Sequence, residues 1–265
     1  MIALITGASS GIGRAMALGF ARRGFNLIIV ARRRQRLIEL KKEVQEQYGV
    51  KVRMFCHGLS KTEECIKLFE ETSRVNVDVV VNSAGFGVFG AFDETDLYDE
   101  LKMIDVNIKA VHILTKLFMK KFKERDSGFI LNVASIAGFM AGPEFSSYYA
   151  SKNYVLQLTK AVHEELRHIK SNVYIGAFCP GPVRTEFNEI AGAEFAVSGI
   201  SDVEAAEYAI EKMFDGQMII VPTASAKLLT VASRLVPTGI MLAATGAVQR
   251  SRKVWDKDNE NAVKF

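Results

Sequence analysis

The stretch TGASSGIGR, residues 6–14, follows the apolar run IALIT (2–6) and opens the helical pattern GRAMALGFARRG. Gly7, Gly11 and Gly13 let a backbone come close to a pyrophosphate, and the start of a helix offers unpaired N–H groups and the positive end of a dipole. Ser9 and Ser10 add hydroxyl donors, and Ile12 completes the loop. The spacing is G-x-x-x-G-x-G, not the commoner G-x-G-x-x-G dinucleotide fingerprint, so on its own it also suits a plain tight turn. What favours the cradle is its place, in the first strand-to-helix turn of an alternating chain.

That alternation runs almost from end to end. IALIT (2–6), NLIIV (26–30), VRMF (52–55), DVVVN (78–82), FILNVA (129–134), VYIGAF (173–178) and MIIV (218–221) read as buried strands rich in Val and Ile. Helical periodicity fills the intervals. Ala15, Leu18, Gly19 and Phe20 share one side of the first helix, which Gly24 stops, and Leu37, Leu40, Val44 and Tyr48 form a stripe that ends at Gly49. Strands alternating with helices predict an α/β fold: a doubly wound, Rossmann-like parallel sheet of about seven strands with helices on both faces. No linker or change of composition divides the chain, so residues 1–265 are expected to form one domain.

Composition narrows the classes of function. Apolar residues make up 49% of the 265, and the net charge of +4 is too small and dispersed to argue for nucleic acid. Cys56, Cys65 and Cys179 have neither a disulfide-framework nor a metal-binding spacing, and a reducing, cytoplasmic setting is expected. The first apolar run is too short for a signal peptide. No segment is apolar for the roughly 18 residues of a membrane span, the longest candidate being Gly239–Val248. HEELRH (163–168) lacks the second histidine of a zinc helix because Arg167 stands there, so no metal site is expected. His57, His112, His163 and His168 read as surface or helix-packing residues.

A second constellation carries the chemistry. Tyr148 and Lys152 in SSYYASK are four apart, hence on one face of the helix expected after the fifth strand. A tyrosine hydroxyl with its ordinary pKa of about 10 exchanges protons poorly at neutral pH, and a neighbouring ammonium favours the phenolate. Tyr148 is thereby suited to protonate a carbonyl oxygen or to deprotonate an alcohol. Ser135, at the end of the fifth strand, is placed to hydrogen-bond the same oxygen.

With these residues in view the chain resembles the short-chain dehydrogenase/reductase family over nearly its whole length. The family's T-G-x-x-x-G-x-G corresponds to Thr6–Gly13, and its N-N-A-G to Asn82-Ser83-Ala84-Gly85, with Ser for the second Asn. Its helix asparagine is Asn107, its serine Ser135, its Y-x-x-x-K Tyr148 to Lys152, and its P-G Pro180-Gly181. The resemblance implies Tyr148 as general acid/base and Ser135 as the group orienting the substrate oxygen. It implies Lys152 as the residue that lowers the tyrosine pKa and holds the nicotinamide ribose, and Asn107 as the anchor of a proton-relaying water. Gly7–Gly13, Leu59, Asn82, Ala84, Gly85, Pro180, Gly181, Val183 and Thr185 would contact the cofactor.

The cofactor choice is read from VARRRQRL. An NAD-selecting chain carries an acid at the end of the second strand for the ribose 2′-hydroxyl. Here Arg32 and Arg33 stand instead, guanidinium forks suited to a 2′-phosphate, so NADP(H) is expected. Where the family has an Asp for the adenine amino group, this chain has Gly58 followed by Leu59. The expected reaction is hydride transfer between NADP(H) and a carbonyl or alcohol. The alternatives are a 3-oxoacyl-thioester reductase, or a non-catalytic dinucleotide-binding protein, which the intact Tyr–Lys pair disfavours. Phe86, Phe89 and Phe92 are candidate substrate-cleft residues. Leu114, Leu117, Phe118, Leu156 and Leu158 exceed what one sheet face accommodates, so a homodimer or homotetramer is expected. From Ala224 onward two apolar-faced helices broken at Pro237–Gly239, with Arg250, Arg252 and Lys253, suggest a role with a lipophilic substrate or loose contact with an anionic membrane surface.

Overall fold

The computed structural model describes residues 1–192 and 199–250. Seven strands form one parallel sheet: β1 (Ile2–Thr6), β2 (Asn26–Val30), β3 (Val52–Phe55), β4 (Val79–Asn82), β5 (Gly128–Val133), β6 (Val173–Phe178) and β9 (Ile219–Ile220), in the order β3-β2-β1-β4-β5-β6-β9. Each central strand is an apolar run because both of its faces are covered. β4 is buried throughout, and β1 is buried from Ala3 to Thr6. On one face pack α1 (Gly11–Arg22), α2 (Arg34–Tyr48) and α8 (Asp202–Phe214). On the other lie α3 (Thr62–Ser73), α5 (Val111–Glu124) and α6 (Ser146–His168).

The chain runs outward from β1 to β3, then returns to build β4, β5 and β6 on the other side. The order therefore reverses between β1 and β4, and their carboxyl ends diverge into a crevice where ligands of such sheets bind. Register holds this edge level: Ile5 pairs with Val81, Asn82 with Asn132, and Val133 with Phe178.

Two features go beyond the sequence reading. α4 (Leu97–Ile104) runs into α5 through a π-helical turn, Asp105–Ala110, which carries Asn107. A two-stranded parallel ribbon pairs β7 (Val183–Arg184) with β8 (Ile200–Ser201), and α7 (Phe187–Ala191) follows β7. The ribbon requires Gly199, because a Cβ there would lie 2.2 Å from the Pro182 carbonyl oxygen. Each ribbon strand is two residues long, too short for a periodicity to register.

Of the five apolar residues expected to be in surplus, Leu114, Phe118 and Leu156 are consumed by the chain's own core. Leu117 and Leu158 are half-buried. At the C-terminus α9 (Ala224–Leu235) and α10 (Thr238–Arg250) meet at Val236-Pro237, close to the expected break, and expose Leu228, Leu235 and Ile240. Arg252 and Lys253 lie outside the described residues. No helix among the described residues is long and apolar enough to cross a membrane.

Between the sheet and the α5/α6 layer sits a buried polar ladder. Asn132 Oδ1 accepts from Asn82 Nδ2 at 2.8 Å and from Thr115 Oγ1 at 3.2 Å, while Asn132 Nδ2 donates to Thr159 Oγ1 at 3.0 Å. Asn132 is wholly buried, so its loss strands donors that water does not reach. Asn132→Ala is expected to lower stability by about 2–3 kcal/mol, read from denaturant unfolding. An unchanged midpoint would contradict the ladder's role.

Candidate active site

A cleft of about 530 Å³ opens at the carboxyl edge of β1, β4 and β5. The loop glycines, Arg32, Arg33, Leu59, Ser135, Tyr148, Lys152 and the Pro180–Thr185 residues expected at the cofactor all line it, while Asn82 and Asn107 do not. The cleft thus joins the glycine loop and arginines at one end to Ser135, Tyr148 and Lys152 at the other.

The glycine loop is shaped by close approach. Gly7 has φ +69°, and a Cβ on it would lie 2.8 Å from Ala84 Cα. A Cβ on Gly13 would lie 2.4 Å from the Gly7 carbonyl oxygen, so the loop folds tightly onto the first turn of α1. Thr6 Oγ1 accepts from the backbone N–H groups of Ser83 (3.0 Å) and Ala84 (3.1 Å), bracing the loop after β4 against β1. The first turn of α1 has no side-chain cap from Ser10 and no acidic residue, so its N–H groups and dipole are left for another anion. These features fit the pyrophosphate of a dinucleotide.

Beyond β2, Arg32 is exposed on the cleft and makes no hydrogen bond or ion pair among the described residues. Arg33 donates from Nε and Nη2 to Ser9 Oγ at 3.2 and 3.1 Å, and from Nη2 to Ser10 Oγ at 2.6 Å. The sequence has no acid beside these arginines, but the fold brings one: Glu186 pairs with Arg33 at 2.9 Å and with Arg36. Leu59 is buried on the cleft, and nothing lies within 4 Å of a Cβ on Gly58. The missing aspartate is therefore no steric necessity.

At the other end Tyr148 is buried in an aromatic stack, 4.5 Å and 17° from Phe145, with Phe187 at 5.3 Å. Gly87 makes room for it, since a Cβ there would reach the Phe145 ring at 2.4 Å. One turn on, Lys152 Nζ lies 5.7 Å from the Tyr148 ring centroid and donates to the Val133 carbonyl at 2.9 Å. Burial lowers the Lys152 pKa to about 8, against a smaller opposing effect of the Cys179 thiol. Ser135 Oγ accepts from Ala137 N at 3.1 Å, capping the 3-10 turn Ile136–Phe139. Gly138 lets that turn lie on α6, because a Cβ there would meet the Lys152 carbonyl oxygen at 2.7 Å. Asn153 Nδ2 ties the two together, donating to the carbonyls of Ala137, Met140 and Tyr149.

Two expected residues stand behind the cleft wall. The Asn82 side chain belongs to the buried ladder, donating to Thr115 and Asn132, which leaves its backbone as the part near the crevice. Asn107 is fully buried: Phe86 N donates to its Oδ1 at 3.1 Å, and its Nδ2 donates to Phe86 O at 2.9 Å and Ser151 Oγ at 3.1 Å. It fixes the loop after β4 just behind Gly85, where a Cβ would sit 2.9 Å from Asn107 Oδ1 and 3.6 Å from Lys152 Nζ.

Other lining residues were not foreseen. His57 packs on α3, held between Glu64 (2.5 Å) and Glu71 (2.7 Å), but it also lines the cleft. Of the three phenylalanines, Phe86 lines the cleft, Phe89 packs 5.9 Å from Phe145, and Phe92 is exposed. Lys102, Val106, Tyr149 and Ile190 complete the wall near Tyr148. The C-terminal helix reaches this wall, with Gln249 Nε2 donating to Tyr149 Oη at 2.6 Å.

The short chain dehydrogenase family model matches residues 1–194. The chain is 33% identical over 215 residues to an uncharacterized oxidoreductase of Staphylococcus saprophyticus, covering 80% of this chain and 91% of that one. It is 32% identical to a 3-oxoacyl-[acyl-carrier-protein] reductase of Rickettsia prowazekii, covering 70% and 74%. Among solved structures, a short-chain dehydrogenase from Sphingobium yanoikuyae in complex with NADPH superposes with a TM-score of 0.81 at 27% identity, covering 91% of this chain and 94% of that one. The shared fold and the match across most of its length make this chain a member of the short-chain dehydrogenase family, oxidoreductases that act on CH–OH and C=O groups with a nicotinamide dinucleotide.

Proposed function

We propose that the protein is an NADP(H)-dependent carbonyl reductase or alcohol dehydrogenase for substrates with an apolar body. The observation that carries this reading is the buried Tyr148–Lys152 pair in the same cleft as the glycine loop and Arg32–Arg33. The dinucleotide, when bound, supplies or accepts the hydride. Gly7 to Gly13 and the N–H groups of α1 hold its pyrophosphate, and Arg32 and Arg33 take the 2′-phosphate. Ser9, Ser10, Leu59, Ala84, Gly85, Pro180, Gly181, Val183 and Thr185 line its path.

Ser135 orients the substrate oxygen and Tyr148 exchanges its proton. At neutral pH Lys152 is still cationic, and its charge favours the phenolate of Tyr148, bringing the hydroxyl into working range. Asn107 acts as a positioning residue, holding the Phe86 backbone and thereby the wall beside Gly85. Phe86, Val106, Tyr149, Phe187 and Ile190 give the substrate end apolar walls, and α10 buttresses Tyr149. A ketone with an aliphatic or polycyclic body suits these walls.

Tyr148→Phe is expected to keep NADPH affinity while lowering ketone turnover at least about a hundredfold. Turnover near the wild-type value would remove Tyr148 from the chemistry. Arg32→Ala, a change that breaks no hydrogen bond or ion pair within the described residues, should weaken NADPH about tenfold or more while leaving NADH nearly unchanged. Equal losses in the two dissociation constants would contradict the phosphate assignment.

Lys152 also makes stability depend on pH. Its folded-state pKa of about 8 lies below its ordinary value of 10.5, so between these limits the unfolded chain binds more protons and rising pH favours the fold. Measured against Lys152→Met, the wild type should gain stability from about pH 8 to 10.5 in denaturant titrations. A difference that stays flat or falls would show that the ammonium is not desolvated.

A further inference from the structure

Glu186 follows Thr185 directly, at the point where the glycine loop, α2 and the segment leading to α7 converge. One of its carboxylate oxygens accepts from Arg33 Nη1 at 2.9 Å, and the other accepts from Arg36, one turn further along α2. The same Arg33 guanidinium holds Ser9 and Ser10 with Nε and Nη2. The neighbours of Glu186 are also engaged. The Thr185 methyl lies 3.0 Å from where a Cβ on Gly11 would be, and the Phe187 ring is 5.3 Å from Tyr148. Burial pushes the Glu186 carboxyl up, but hydrogen bonds from Arg33 and Arg36 outweigh it and hold the group below the ordinary glutamate range. It is an anion at neutral pH.

A 2′-phosphate bound at Arg33 meets this carboxylate at the same guanidinium. Two anions then share one fork whose inner donors are already committed to the glycine loop. Arg36 stays on Glu186, so the carboxylate can yield Arg33 and still keep a partner. We propose that Glu186 sets cofactor selectivity, as an internal counter-anion that an NADP(H) phosphate has to displace from Arg33. NADH, with a neutral 2′-hydroxyl, leaves the Arg33–Glu186 pair intact. Glu186 therefore holds down the preference that the arginines create. This inference rests on the assignment of Arg33 to the 2′-phosphate.

The test is a double-mutant cycle on cofactor dissociation constants, read from nicotinamide fluorescence for NADPH and NADH. Glu186→Gln keeps the shape and removes the charge. It should tighten NADPH about three- to tenfold and leave NADH within about twofold. In an Arg33→Ala background the same change should have no effect on NADPH. An unchanged NADPH constant in Glu186→Gln, or equal weakening of both cofactors, would overturn the proposal and make Glu186 a brace of the loop. A wild type that prefers NADH, with an NADPH constant unmoved by Arg33→Ala, would instead overturn the phosphate assignment beneath it.

Discussion

An ammonium ion kept from water is the constraint around which the Tyr148 end of the cleft is arranged. Lys152 is buried, and an unpaired charge in that position costs several kcal/mol, so its surroundings have to supply acceptors and exclude competitors. The Val133 carbonyl at the end of β5 provides the direct hydrogen bond. Gly138 lets the 3-10 turn close over the backbone of α6, and Gly85 leaves room beside Nζ on the opposite side. Asn153 and Asn107 then lock the two neighbouring loops by their backbones. Because these contacts fix α6, they also fix Tyr148 in its stack with Phe145 one turn earlier.

The glycine-loop end follows a different constraint, one of unpaired donors rather than an unpaired charge. α1 and α2 both begin without a side-chain cap or an acidic first turn. α8, by contrast, has a full capping box from Ser201 and Glu204. Thr6 joins the two ends, since the hydroxyl closing β1 accepts the N–H groups that begin the loop after β4. A disturbance of the glycine loop is thus transmitted to the segment that Asn107 holds at its other end.

Much of this was legible in the sequence because a parallel sheet buried on both faces writes itself as apolar runs. All seven strands of the sheet fall within a residue of their expected limits at both ends, as with Val173–Phe178, and the helix stops at Gly24 and Gly49 carry the left-handed backbone that glycine favours. The glycine loop and the Tyr148–Lys152 spacing were legible for the same reason: local geometry dictates them. What escaped was long-range. Glu186 reaches Arg33 from 153 residues away, and His57 is trapped by two glutamates of the following helix, pairings without a local pattern. The π-turn at Asn107 leaves the helical pattern of α4 and α5 nearly intact. Asn82 read as part of a cofactor motif, yet its side chain is spent on the ladder beneath the sheet.

The proposed reaction is reduction of an apolar ketone in this cleft by hydride transfer, with Tyr148 as the proton donor and a phosphate-bearing cofactor. The direct measurement is initial rates, followed at the nicotinamide absorbance, for a panel containing an aliphatic ketone, a steroid ketone and a 3-oxoacyl thioester, each with NADPH and with NADH. Ketone-dependent oxidation of the cofactor, faster with NADPH at equal, subsaturating concentration, is expected. Binding of NADPH without turnover of any carbonyl in the panel, or faster reaction with NADH throughout, would contradict it.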